Sequence, residues 1–160
     1  MVGFVSYKVD NDDTFTVELD RAVKAVGDLR FAMGEVSRDI FKTTTQNFIL
    51  KGLGKYPPLS SRYANYKRKV RPAAPILVFD GKLKNSVTGT GNGDTIRNIG
   101  KQSLVQGTRV PYAMYVQEGT PRMEERKFLF IDDAQSLRIG RILGDYVASR
   151  LEVLGNVRKV

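Results

Sequence analysis

The sequence has 160 residues, with 26 Lys and Arg against 17 Asp and Glu, a net charge of +9, and neither Cys nor His. This length fits a single domain of common size, and an apolar fraction of 41% is enough to form a folded core. The missing Cys exclude disulfides and thiolate metal sites, and the missing His remove the commonest metal ligand and acid-base catalyst, which argues against an enzyme.

Alternating apolar residues on both sides of an acidic turn predict a β-hairpin over residues 1–20. Asp20 is then expected to cap a long helix from about Arg21 to Leu50. A three-four spacing places one apolar stripe along that helix, formed by Val26, Leu29, Met33, Val36, Ile40 and Phe48. Glycines and prolines between positions 52 and 58 end it.

The middle of the chain predicts short elements separated by turns. Ser60 or Ser61 can cap a helix that runs through Val70, and the apolar run 76–79 suits a buried strand or the start of a helix. A turn at 80–81 precedes a short helix from Leu83 to Ser86. Three glycines then predict a flexible loop over residues 85–95.

The last third predicts three strands and two helices. Two strands, 95–99 and 103–107, flank a Gly-Lys turn, a short helix ends at Gln117, and residues 128–131 form another strand. Asp132 or Asp133 can cap the final helix. Its apolar stripe consists of Leu137, Ile139, Ile142, Leu143, Val147, Leu151 and Leu154. The element order predicts one α+β domain over 1–160, with a mostly antiparallel sheet flanked by a long N-terminal helix and a C-terminal helix.

No motif predicts a catalytic, cofactor or metal site. The glycines at 89, 91 and 93 lack the Gly-Lys-Ser/Thr ending of a phosphate-binding loop. The acidic pairs 124–125 and 132–133 consist of adjacent residues, whose side chains diverge on a helix or a strand. Serine and threonine clusters have no His to activate them. We therefore expect no cofactor and no bound metal.

Charge is strongly segregated along the chain. Residues 51–84 carry +8 and residues 1–20 carry −4, and this asymmetry favours a binding protein. The candidate partner-binding residues are the basic-aromatic run Arg62, Tyr63, Tyr66, Lys67, Arg68, Lys69 and Arg71, and the acidic Asp10, Asp12 and Asp13. Cations interleaved with tyrosines can bind phosphates and stack on bases. Alternatively, the tyrosines anchor the helix while the cations stay solvated and face an acidic protein surface.

Several residues in a fixed order carry a resemblance to a known family. They are Leu59, Tyr63, Lys67, Ile76-Leu77, Gly81-x-Leu83, Ser86, Gly107, Tyr112-Ala113, Gln117, Gly119 and Lys127-Phe128-Leu129. This order resembles the phage virion-morphogenesis family of tail-completion or neck proteins over residues 55–150.

The resemblance implies a structural virion protein at the head-tail junction. Such a protein would form a homo-oligomeric ring, hexameric or dodecameric, that joins the portal or connector to the tail, close to packaged DNA and without catalysis. It would be assembled in the host cytoplasm, and no apolar run near its N-terminus is long enough for a signal core or a membrane span. The alternative is a small basic nucleic-acid-binding protein that uses residues 62–71. In the ring, we expect the acidic N-terminal residues of one copy to lie near the basic segment 62–71 of its neighbour, or this segment to face an acidic ring above or below.

Overall fold

The computed structural model of the chain describes residues 26–50, 56–89 and 93–156. In chain order these contain α1 (Arg30–Ile49), α2 (Ser61–Val70), α3 (Lys82–Val87), β1 (Thr95–Ile99), β2 (Leu104–Thr108), α4 (Ala113–Glu118) and α5 (Asp133–Asn156). The fold is α+β, with an antiparallel sheet, a long first helix and a long last helix, as the sequence predicts. The predicted hairpin 1–20, with Asp10, Asp12, Asp13 and Asp20, lies outside the described residues.

The predicted helix is interrupted at residues 28–29, because residues 26–27 are helical, the chain then leaves the helical path, and α1 starts at Arg30. The Asp28 carboxylate accepts a hydrogen bond from the Arg30 backbone N–H at 3.1 Å and also binds the Arg30 guanidinium. The Leu29 N–H donates to the carbonyl oxygen of Lys101 at 2.7 Å, outside the helix. Local side-chain bonds and one long-range bond thus replace the helical hydrogen bonds here.

The sheet consists of β1 and β2 alone in the described residues, paired from Thr95 with Thr108 to Ile99 with Leu104. The predicted turn is confirmed: the Gly100 N–H donates to the Ser103 carbonyl at 2.8 Å. The sheet meets α1 through a polar contact, in which Ser37 Oγ lies 2.8 Å from Gln106 Oε1 and 2.7 Å from Arg97 Nε.

Two predicted strands are wrong. Residues 76–79 form turns in which Leu77 adopts a positive φ of 65° and packs against the core. Residues 128–131 pair with no strand of the described ranges, and the N–H groups of Phe128 and Leu129 instead donate to the Gln117 side chain at 3.1 and 3.2 Å. Leu77 and Val78 in the first run and Phe128 and Leu129 in the second belong to the core or pack against it, and apolar character alone cannot separate a strand from a covering turn.

The predicted loop 85–95 is shorter than expected at both ends. Residues 85–87 belong to α3, where Ser86 and Val87 are buried, and β1 starts at Thr95. At the far end the Arg109 guanidinium donates to the Gly93 carbonyl at 2.9 Å. Residues 90–92 lie outside the described ranges.

A small apolar core joins the middle of the chain to the end of α1. Its buried members are Phe48, Leu83, Val87, Val110, Ala113 and Phe128. The rings of Phe48 and Phe128 lie 6.0 Å apart, a favourable distance for an aromatic pair. This core holds α3, α4 and the 128–129 segment around the C-terminal end of α1.

Helices α1 and α5 lie antiparallel. Arg138 near the start of α5 contacts Asp39 at 3.4 Å, whereas the Tyr146 hydroxyl donates to the Asp28 carbonyl at 3.2 Å. The predicted α5 stripe is only partly correct. Its central residues are half-buried, Leu137 and Leu151 are 66% and 48% exposed, and the one buried residue described in α5 is Gln135. No described helix is both long and apolar enough to cross a lipid bilayer.

Candidate interaction site around helix α2

Helix α2 begins and ends with clear capping contacts. Ser60 is the N-cap residue, and its hydroxyl accepts the Tyr63 N–H at 3.4 Å. At the other end the Arg71 N–H donates to the Lys67 carbonyl at 2.7 Å. Lys67, Arg68 and Lys69 occupy the last turn, where cations interact favourably with the helix dipole.

The inward side of α2 is formed by Lys67 and not by the tyrosines. Lys67 is 5% exposed, and its Nζ donates to the Pro75 carbonyl at 2.5 Å. Burial lowers the pKa of the Lys67 ammonium below its ordinary value. One interpretation of the sequence has the tyrosines anchor the helix while the cations stay solvated. At Lys67 the opposite holds, because this cation is buried and the tyrosines are not.

Three aromatic rings form a row on the outer side of α2. Tyr63 and Tyr66 are 42% and 54% exposed, with ring centroids 6.3 Å apart. Tyr66 stacks on Phe79 at 6.4 Å with nearly parallel planes, and the Arg71 guanidinium lies 5.9 Å from the Phe79 ring centre. We call Tyr63, Tyr66 and Phe79 the aromatic row.

Exposed cations surround the aromatic row. They are Arg62, Arg68, Lys69 and Arg71. None of them forms an ion pair with another described residue. The surface therefore combines accessible aromatic area with positive charge that the described part of the chain does not neutralise.

A groove of about 1210 Å³ adjoins α2 and runs to the 118–126 segment. Its apolar lining includes Leu77, Val78, Leu83 and Val116. Charged side chains of both signs line it as well, among them Lys67, Asp80, Glu118, Arg122, Glu124, Glu125 and Arg126. Tyr63 and Phe79 of the aromatic row also line this groove, so the groove continues the row with a surface of mixed charge, which is less selective for an acidic ligand than the cations beside the row.

Arg126 fixes the loop before α2 to the opposite wall of the groove. It is 6% exposed, and its guanidinium donates to the carbonyls of Pro57, Pro58 and Glu124 at 3.2, 2.8 and 3.1 Å. Its backbone N–H donates to the Val116 carbonyl at 2.8 Å. A buried guanidinium with several acceptors is well compensated, so Arg126 positions α2 rather than offering a free charge.

The residues of the family resemblance supply structural contacts in this region. Gln117 links α4 to the 128–129 segment, because its Nε2 also donates to the Leu129 carbonyl at 2.7 Å. Ser86 is fully buried and bonds the Leu83 carbonyl and the Thr108 hydroxyl. Gly81 and Gly119 have φ values of 84° and 76°, which favour glycine.

Sequence reasoning identified the α2 residues but missed Phe79 and Arg126. Phe79 belongs to the run for which the sequence predicts a strand or the start of a helix, and its place beside Tyr66 depends on the turn at 76–79. Arg126 gave no local signal, since its three carbonyl partners depend on the tertiary fold. Asp10, Asp12 and Asp13, the acidic half of the predicted contact, lie outside the described residues.

The acidic pairs have ordinary structural contacts. Asp132 caps α5 by accepting the Gln135 N–H at 2.7 Å, and Glu125 lies 3.6 Å from Lys127. In the described ranges no three His, Cys, Asp or Glu side chains cluster as metal ligands. Comparison of the chain with family models, curated proteins and solved structures found no match.

Proposed function

We propose that this protein is a structural subunit of a phage head-tail neck, a tail-completion or connector ring protein that joins the portal or connector to the tail. The residue order of the virion-morphogenesis resemblance supports the assignment. The aromatic row, in which Tyr63 and Tyr66 are exposed, and its unpaired cations are the observation that carries the interaction part of the proposal.

Two properties of this surface favour a protein partner. Exposed aromatic side chains grouped on one face are typical of contact sites, and Tyr and Arg are enriched among the residues that dominate binding energy. Cations without internal partners complement an acidic surface and guide its approach. Exposed ion pairs each contribute only about 0–1 kcal/mol, so the aromatic rings supply most of the affinity.

A ring can be built by repeating one such head-to-tail contact until it closes. In this arrangement the aromatic row of one copy contacts an acidic, partly apolar surface on the next. The N-terminal acidic residues remain our candidate for that surface. The proposal for α2 itself depends only on described residues.

Light scattering after size exclusion, with electron microscopy of the largest species, tests the proposal. We expect wild type to form a ring of uniform size, and the variant Tyr66→Ser with Arg68→Glu and Lys69→Glu to remain smaller. The control, Lys42→Glu with Lys101→Glu, reverses two exposed cations away from α2 and should assemble as wild type does. Wild type that forms no ring at any concentration or salt, or a control as defective as the α2 variant, would overturn the proposal.

Nucleic-acid binding is the second candidate, and the stacking geometry of the aromatic row favours it specifically. Rings beside unpaired guanidinium groups can stack on single-stranded bases while the cations contact phosphates. Fluorescence anisotropy with a single-stranded oligonucleotide across a salt series would test it, because phosphate contacts make affinity fall steeply with salt. If the α2 variant loses oligonucleotide binding but assembles normally, nucleic-acid binding replaces the ring contact.

A further inference from the structure

The side of α5 that points away from α1 is apolar and has no partner in the described structure. It consists of Leu137, Gly140, Gly144, Ala148 and Leu151, all of which are exposed. At 100° per residue these five lie on one stripe, opposite the buried Gln135 and opposite Tyr146, whose ring stacks on Phe31 of α1. A side chain built at Gly140 or Gly144 would meet no atom within 4 Å. We call this stripe the outer face of α5.

We propose that a second copy of the chain covers the outer face of α5, with the two α5 helices antiparallel about a two-fold axis at Gly144. This contact goes beyond the proposed ring function and does not depend on it. The contact is made by α5 and involves none of the residues of α2. A two-fold contact is complete with two copies, whereas the head-to-tail contact of a ring leaves a free surface on each added copy until the ring closes.

The register of the stripe fits this symmetry. In this pairing, a residue that precedes Gly144 by a given number of positions lies level with the residue that follows Gly144 by the same number in the other copy. Leu137 therefore lies level with Leu151 of the other copy, and Gly140 lies level with Ala148. The leucines cover one another at both ends, and the glycines between them let the helices approach closely.

Charge on one flank of the stripe is self-complementary. Arg141 precedes Gly144 by three residues and Asp145 follows it by one, and neither forms an ion pair among the described residues. In an antiparallel pair the same flanks meet, so Arg141 of each copy lies about 3 Å along the axis from the other copy's Asp145. The two-fold symmetry therefore gives two such ion pairs in each dimer.

The opposite flank is apolar. Leu143 and Val147 are half-buried against the body of the protein and reach this flank with part of their surface exposed. Under the same symmetry Leu143 of one copy lies near Val147 of the other. Apolar contact on one flank and complementary charge on the other favour a second copy over an unrelated helix, because an unrelated helix would need to match both.

Such a contact is small. The facing segments from 137 to 151 are about 21 Å long, and a single helix pair buries less than the roughly 1,200 Å² of a standard stable interface. We therefore expect a concentration-dependent dimer of micromolar or weaker affinity. It would be seen at high protein concentration and lost on dilution.

Single-cysteine cross-linking tests the symmetry, because the chain has no cysteine of its own. Under mild oxidation Gly144→Cys should form disulfide-linked dimers readily. Leu137→Cys alone should not, but it should cross-link when mixed with Leu151→Cys. Dimers of Leu137→Cys that form as fast as those of Gly144→Cys would indicate parallel or random contact and overturn the proposal.

Charge exchange provides a second measurement by sedimentation equilibrium. Arg141→Asp and Asp145→Arg should each weaken the dimer by about tenfold, and the double variant should restore it. Lys42→Asp, which changes the same charge on α1, should leave it unchanged. The α2 variant should also dimerise normally, so failure of the ring proposal would not affect this result. Wild type that stays monomeric at millimolar concentration, or a double variant without recovery, would refute the two-fold contact.

Discussion

Substitution of Gly119 tests whether the backbone conformation at this position stabilises the 118–126 segment. It follows α4 with φ 76° and ψ −179°, a region that is accessible essentially only to glycine. A Cβ at this position would lie 2.9 Å from the Glu125 nitrogen and 3.0 Å from the Met123 oxygen. Both are backbone atoms, so no side-chain rotation can relieve the contact.

The expected loss combines two terms. Holding a non-glycine residue in this region lowers the free energy of unfolding by about 1–3 kcal/mol, and overpacking against the neighbouring backbone lowers it by about 1–3 kcal/mol more. The turn cannot shift freely, because Thr120 and Met123 exchange backbone hydrogen bonds at 2.8 and 3.0 Å. We expect Gly119→Ala to lower the free energy of unfolding by about 2–6 kcal/mol.

Urea denaturation followed by circular dichroism measures this loss, and two other glycines serve as controls. Gly81 also has a positive φ of 84°, but with ψ −6° it lies in the left-handed helical region, and its nearest neighbour, Asn85 Nδ2, is 3.5 Å away, so Gly81→Ala should lose about 1–2 kcal/mol. Gly34→Ala in α1 meets no atom within 4 Å and should stabilise by about 0.5–1 kcal/mol. A loss below that of Gly81→Ala would refute the argument from Gly119.

Three further substitutions probe burial. Leu143→Ala should lower the free energy of unfolding in urea by about 1–3 kcal/mol, less than a fully buried leucine, because Leu143 is only half-buried; a loss under about 0.5 kcal/mol would place it at the surface. Lys67→Met should leave the free energy of unfolding unchanged or raise it. Because burial lowers the pKa of Lys67 from 10.5, the native state binds fewer protons and wild-type stability should rise as the pH approaches 10.5, a rise that Lys67→Met removes. Tyr56→Phe should stabilise by about 1 kcal/mol in urea at neutral pH, because the buried hydroxyl has no hydrogen-bond partner among the described residues. Burial raises the pKa of Tyr56 to about 12, so the native state holds this proton longer than the unfolded chain and wild-type stability should fall between pH 10 and 12, a fall absent in the variant.

The sequence predicted the elements whose signals are local. The β1–β2 hairpin follows from alternating residues around a Gly-Lys turn, and its observed bounds differ from the predicted ones by one residue. Ser60 and Asp132 were among the expected caps, and both accept the predicted kind of hydrogen bond. These features depend on neighbours within a few positions.

Features that depend on distant partners were missed. The buried side of α1 includes the polar Ser37, Thr44 and Asn47, which no apolar periodicity could indicate. Lys67 faces inward because the Pro75 carbonyl is available to it, and the 128–129 segment replaces strand pairing with the Gln117 amide. Sequence alone therefore placed the basic-aromatic helix and its exposed cations Arg62, Arg68, Lys69 and Arg71, but it could not indicate that Lys67 is buried while Tyr63 and Tyr66 are exposed.

The pairing of α1 with α5 also determines the order in which the protein can be completed during synthesis. Some 83 residues separate Ile49 from Asp133, so α1 leaves the ribosome roughly 4–17 s before its partner at about 5–20 residues per second. During this delay the side of α1 that will meet α5 is exposed. Asp39 and Thr43 lie on that side, where they contact Arg138 of α5 in the finished protein, and their polarity lowers the tendency of the waiting helix to associate with other nascent chains. A polar contact with α5 thus suits a helix face that must remain uncovered until translation is nearly over.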